Sequence, residues 1–246
     1  TRPFAAGLTL NYAHNPLVFG YRDQFGTFTY NRSVIGHQLL AHVDLAGSFL
    51  DRILVTASLP VTLLERGDTA DGEYGVTRVS SVAVGDPRLG IKVRALGQPY
   101  RDAFSLSLSA DVWLPINSIT DAFPAHVAES GLRVMPKAIF GGLFRNLLWS
   151  ATVAFLYRPD AALGTLPAGS GNSVGTSLQF GAALAYANMD LGLSVGPEAL
   201  LSTVLSDGHG FRQDYTSLEL LLGGHYSVAR RVQLSLGAGL GLLREP

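Results

Sequence analysis

Gly-Asp-Pro-Arg-Leu-Gly-Ile-Lys-Val-Arg-Ala-Leu (85–96) and, past the connection at 97–102, Ala-Phe-Ser-Leu-Ser-Leu-Ser-Ala-Asp-Val-Trp-Leu (103–114) write one alternation twice. In the first stretch Pro87, Leu89, Ile91, Val93 and Ala95 share one parity, and Asp86, Arg88, Lys92 and Arg94 share the other. In the second, Phe104, Leu106, Leu108, Ala110, Val112 and Leu114 alternate with Ser105, Ser107, Ser109, Asp111 and Trp113. Successive side chains of a strand point to opposite faces, so period two predicts two strands. Segments of about ten residues with an apolar and a polar face, joined by short turns, are what a bilayer-spanning barrel requires.

The same pattern recurs outward from this hairpin. Eleven strands are expected, at 5–12, 37–49, 53–63, 85–96, 103–114, 133–143, 147–157, 176–186, 189–201, 215–226 and 231–242. Their connections alternate in length. Short ones fall near 50–52, 97–102, 143–146, 187–188 and 227–230, and long ones at 13–36, 64–84, 115–132, 158–175 and 202–214. Short turns on one side and long loops on the other mark an outer-membrane barrel, with the turns periplasmic. Phe49, Phe104, Phe144, Trp149, Tyr186 and Tyr226 stand beside short turns, where an interfacial aromatic girdle belongs, and Tyr157 and Tyr215 are candidates for the opposite rim. Eleven strands leave the chain ends on opposite sides, whereas single-chain bacterial barrels have even numbers. The expectation is therefore an all-β, antiparallel transmembrane barrel of twelve strands, one domain over 1–246, with the last strand absent from this chain, supplied elsewhere, or hidden near its start.

Composition agrees. Of 246 residues 47% are hydrophobic and only 15% charged, against about 25% charged in ordinary soluble domains. A formal charge of −1 without basic runs argues against nucleic acid as a partner. The absence of cysteine excludes disulfides, thiolate metal sites and cysteine nucleophiles. No apolar run is long enough for a transmembrane helix. The start at Thr1, without a basic and apolar leader, reads as a mature form.

Asn11-Tyr-Ala-His-Asn-Pro-Leu-Val18, Ser58-Leu-Pro-Val61, Val84-Gly-Asp-Pro-Arg-Leu-Gly-Ile-Lys92 and Val134-Met-Pro-Lys137 together resemble the amino-terminal barrel of OmpA-family outer-membrane proteins from myxobacteria and related deltaproteobacteria. The resemblance covers essentially the whole chain. It implies a structural role, anchoring an envelope-linking protein among outer-membrane lipid and lipopolysaccharide. In that family a periplasmic domain usually follows and binds peptidoglycan, but no such domain stands in these residues.

The polar parity carries the candidate site. A turn centred on Pro99 and Tyr100 sets Arg88 opposite Asp111 and Lys92 opposite Ser107, so an Arg88–Asp111 ion pair is expected in the lumen. Arg88, Lys92, Arg94, Arg133 and Lys137 give one basic wall, and Glu198 and Glu219 an acidic one roughly facing it. Opposed charges of this kind act on ions in a narrow pore, or bridge the lumen and plug it. Small residues such as Gly181, Ala183, Gly237 and Gly239 leave room for water. His42 and Asp44 share the lumenal face and His225 joins it near the periplasmic end, but spacing marks no nucleophile to complete a catalytic site. Asp68, Asp71, Asp207 and His209 sit in loops without a full ligand set, and Gly237-Ala-Gly-Leu-Gly241 continues a strand instead of opening a helix. Neither metal nor cofactor is expected. The aromatic cluster at 21–30 suits loop anchoring or an extracellular protein partner. The expected role is a membrane anchor or structural envelope protein; the alternatives are a narrow channel for passive diffusion of small polar solutes and cell-surface recognition through the long loops.

Overall fold

A computed structural model describes residues 3–22, 28–67, 82–116, 131–162, 173–206, 210–212, 215–228 and 232–243, with side chains except at 17–22, 28–32, 34, 161, 162, 173, 174 and 243. Among the described residues fourteen strands run in chain order: β1 (Phe4–Arg22), β2 (Phe28–Phe49), β3 (Ile53–Arg66), β4 (Ala83–Val84), β5 (Arg88–Leu96), β6 (Ser105–Trp113), β7 (Arg133–Phe144), β8 (Leu147–Leu156), β9 (Ala161–Ala162), β10 (Ser173–Val174), β11 (Ser177–Asn188), β12 (Leu193–Val204), β13 (Thr216–Val228) and β14 (Val232–Leu243). Twelve form one antiparallel sheet. Its path is β1-β2-β3-β5-β6-β7-β8-β11-β12-β13-β14, with β4 paired on β3, while β9 and β10 pair separately. No α-helix occurs among the described residues.

All eleven strands expected from period two are present, and their differences have local causes. The 13–36 stretch, expected as a loop, is mostly strand: β1 continues to Arg22 and β2 begins at Phe28. Register shifts after His14, Leu17 and Phe19 break the alternation there. Asn15 takes a left-handed φ of 51° just before Pro16, and Ser33 Oγ donates to its Oδ1 at 2.8 Å. At 85–87 the opposite correction applies. Gly85, Asp86 and Pro87 interrupt the expected strand, leaving the two-residue β4 on one side and β5 on the other. The turn expected at 187–188 lies at 189–192, where Asn188 Oδ1 accepts the amides of Asp190 and Leu191 and Gly192 turns with φ +64°.

The outer face is apolar along the whole path. Leu8, Leu45, Ile91, Leu108, Phe155, Leu184, Leu222 and Leu236 all stand exposed on it. Phe49, Phe104, Phe144, Tyr186 and Tyr226 are exposed beside the short turns, as a girdle demands. Trp149 joins them, its indole N–H donating to the Ala103 carbonyl at 3.2 Å. From Leu147 to exposed Tyr157 the wall runs about 33 Å along the strand and, at a tilt near 40°, about 25 Å in height, a bilayer core's worth. Tyr215 stands at the long-connection end of β13, the rim expected for it, but is buried there, with the Arg212 guanidinium 6.0 Å from its ring.

Thr9 on β1 and Trp113 on β6 line one cavity, although four strand spacings would separate them by about 19 Å in a flat sheet. The sheet therefore curves toward its polar face, giving a half-barrel. Its edges are β1 and β14, which do not pair with each other. Both run from the short-turn side toward the long-loop side. Among the described residues the two edges stay open, and direct pairing between them would be parallel.

Candidate functional site

Backbone register sorts every candidate side chain onto one face. A lateral row crosses β1 to β7 as Gly7, Asp44, Ser58, Arg88, Trp113 and Arg133. A second runs Leu54, Lys92, Ser109, Lys137, Ala154, Gln179, Ser202 and Ser217. A third includes Arg94, Ser107, Ile139, Thr152, Gly181, Leu200 and Glu219. His42, Asp111, Glu198 and His225 share the same parity on their strands, so all the predicted residues occupy the polar face.

The partners within that face differ from the expected ones. Arg88 stands opposite Trp113 and Lys92 opposite Ser109, a displacement of two residues from the sequence reading. The connection turns farther along than expected: Leu96 already faces Leu106, and one extra residue, Ala95, then shifts the ladder by one between Leu96 and Arg94. Gly97 takes a left-handed φ of +61° beside it, where a Cβ would strike the Phe104 carbonyl. The even displacement preserves faces and changes partners. Asp111 consequently lies over Gly90 and accepts a hydrogen bond from Lys137 Nζ. The Arg88–Asp111 pair does not form.

A Cβ at Gly90 would overlap Asp111 Oδ1 and Thr56 Oγ1. Gly90→Ala should therefore push Asp111 away from Lys137 and destabilise the protein by about 1–2 kcal/mol, in the range of core overpacking. A urea midpoint unchanged by this substitution would refute that reading of the pair.

Arg88 instead leans on Trp113, its guanidinium 5.9 Å from the ring centroid, and Arg133 approaches the same ring at 5.4 Å. Arg133 Nη2 also donates to Asp86 Oδ2 at 2.9 Å, and the Asp86 side chain is wholly buried. Asp86 and Trp113 were placed on the polar face by parity but not singled out. The break in the strand at Gly-Asp-Pro is the sequence signal that turns Asp86 inward.

On the β1–β3 side, Thr9, Asn11, His42, Asp44, Ser58 and Pro60 meet Asp86, Arg88 and Trp113 around a cavity of about 280 Å³. His42 hydrogen-bonds neither Asp44 nor Ser58, so no charge-relay arrangement forms among them. At the far side His225 Nδ1 lies 2.7 Å from Ser235 Oγ and 3.3 Å from Gln233 Nε2, linking β13 to β14 near the short turn. Glu198 and Glu219 make no ion pair or hydrogen bond among the described residues. They do not bridge to the basic strands. No cluster of three or more His, Cys, Asp or Glu forms among the described residues. Asp68, Asp71, Asp207 and His209 lie outside the described residues, as do Phe25 and the side chains of Tyr21, Phe28 and Tyr30.

An antiparallel, curved wall with an apolar outside and a charged inside defines the class of outer-membrane β-barrels. Among solved structures the chain is similar to the COG4313 outer membrane channel from Pseudomonas putida F1, with a TM-score of 0.67 over 99% of this chain and 89% of that one. Sequence identity is 15%, so the likeness is one of fold. No protein-family model matches the sequence, and no curated protein matches it.

Proposed function

We propose that the protein resides in the bacterial outer membrane and forms a narrow channel for passive diffusion of small polar solutes. One observation carries this reading. Arg88, Lys92, Arg94, Arg133 and Lys137 on β5 and β7 share a face with Glu198 and Glu219, which no basic partner neutralises among the described residues. Along the sheet path β5 and β13 are six steps apart and β7 and β12 three, so in a twelve-stranded ring the basic and acidic strands stand a quarter to a half of the circumference apart. Charges of opposite sign so separated set up a field across the space between them. Gly181, Ala183, Gly237 and Gly239 add little side chain of their own to that face, although Leu200 and Leu221 lean over Gly181 and Gly239. The fold shared with an outer membrane channel supports the same reading.

The test is single-channel recording of the full-length protein in planar bilayers. Steady openings are expected, with conductance and ion selectivity altered by Lys92→Glu and by Glu198→Lys. Heat-modifiable, folded protein that never conducts would overturn the channel and favour an OmpA-type anchor held by lipid and lipopolysaccharide. Unchanged conductance in both variants would remove these groups from the conduction path.

A further inference from the structure

Asp44 and Arg88 stand in one lateral row, with Ser58 of β3 between them. Two strand spacings put their backbones about 10 Å apart. Nothing on the intervening strand separates them sterically beyond a buried serine, yet they do not pair. Arg88 leans away, onto the Trp113 ring. The Asp44 carboxylate has no ion-pair or hydrogen-bond partner among the described residues. Between the two groups lies the 280 Å³ cavity, and both line it. Gly7, next to Asp44 in the row, adds no side chain to fill the space.

Opposite charges held apart across one cavity complement a solute that carries both signs. A simple anion drawn to Arg88 meets the Asp44 carboxylate, and a simple cation meets the reverse. A neutral sugar leaves both charges without a counter-charge. Trp113 holds the guanidinium 5.9 Å from its ring centroid without a hydrogen bond, and among the described residues no acceptor takes the Arg88 N–H groups, which leaves them for a carboxylate. Thr9, Asn11 and His42 add hydrogen-bonding groups beside Asp44. The volume lies just below the range of about 300–1,000 Å³ that accommodates drug-sized ligands, a fit for a smaller metabolite.

We propose that this cavity is a subsite for small zwitterions of the α-amino-acid type, with the solute carboxylate on Arg88 and its ammonium on Asp44. The proposal deepens the channel reading and rests on it for its role in passage. Trp113 and Trp149 are the two tryptophans of the sequence. In a Trp149→Phe background, Trp113 emission of the detergent-folded, full-length protein is titrated with alanine, acetate, ethylammonium and glucose at constant ionic strength. Alanine should give a saturable change at millimolar concentration, and the other three none. Asp44→Asn and Arg88→Gln should each weaken the response at least ~tenfold while the protein stays heat-modifiable. Trp113→Phe should abolish the signal.

An equal response to acetate or glucose would overturn the proposal, as would no saturation by alanine or an undiminished response in both charge variants. Conducting pores without an alanine response remove the subsite and leave the channel. Alanine saturation in a protein that never conducts removes the channel and leaves the subsite.

Discussion

Ile91→Arg should destabilise the folded protein in lipid by about 2–4 kcal/mol, the cost of a cation on the lipid face near the bilayer midplane. Ile91 lies mid-strand on β5, exposed on the outer face, with Val55 and Ala110 as its lateral partners. No polar group on those neighbours can receive a guanidinium. The same residue type introduced at Gln179, on the polar face of β11 between Ala154 and Ser202, should cost under about 1 kcal/mol because it enters an already hydrated surface. Leu106→Arg should fall between the two, since Leu106 is the second residue of β6 and sits near the rim. Urea unfolding in liposomes gives all three values. Equal losses for Ile91→Arg and Gln179→Arg would contradict the assignment of faces.

Asp86→Ala should cost about 3 kcal/mol, the lower end for breaking a buried ion pair by removing one partner. The Asp86 side chain is wholly buried and the Arg133 side chain is 15% exposed, so a guanidinium that loses Asp86 recovers some hydration. Trp113 continues to hold Arg133 from the other side. Removing both partners should therefore be milder than adding the two single losses. A double-mutant cycle with Arg133→Ala should return a coupling of about 1–3 kcal/mol. Additive losses would mean that Asp86 acts through the backbone at Gly-Asp-Pro instead of through the arginine.

Faces were readable from the residues because period two survives any even error in register. Thus Arg88, Lys92, Lys137 and Glu219 fall on the polar face although the expected partner of Arg88 was wrong. Partners were not readable, because they depend on where the 97–104 connection turns and on one extra residue between Arg94 and Leu96. Periodicity also hid the upper half of β1 and β2, where bulges around Asn15 and Pro16 break the alternation within a continuous ladder. The Asp86–Arg133 contact joins residues 47 positions apart across an intervening strand, and no local pattern specifies it. The cavity beside Asp44 needs the curvature of five strands at once. A strand-by-strand reading places its lining residues on a face without enclosing them.

The first two strands reach much farther than their neighbours. With 19 and 22 residues they far exceed the 9 of β5 and β6. At about 3.3 Å per residue and a tilt near 40°, β1 alone climbs about 48 Å, roughly twice the height of an outer-membrane apolar band. The ladder to β3 ends where His37 meets Arg66, and residues 28–36 of β2 continue with β1 as their partner. Ser33 and Ile35 within that continuation are buried, so the extension packs against the molecule instead of standing free. The β1–β2 ladder thus carries one side of the wall well past the height of an apolar band, toward the side of the long connections.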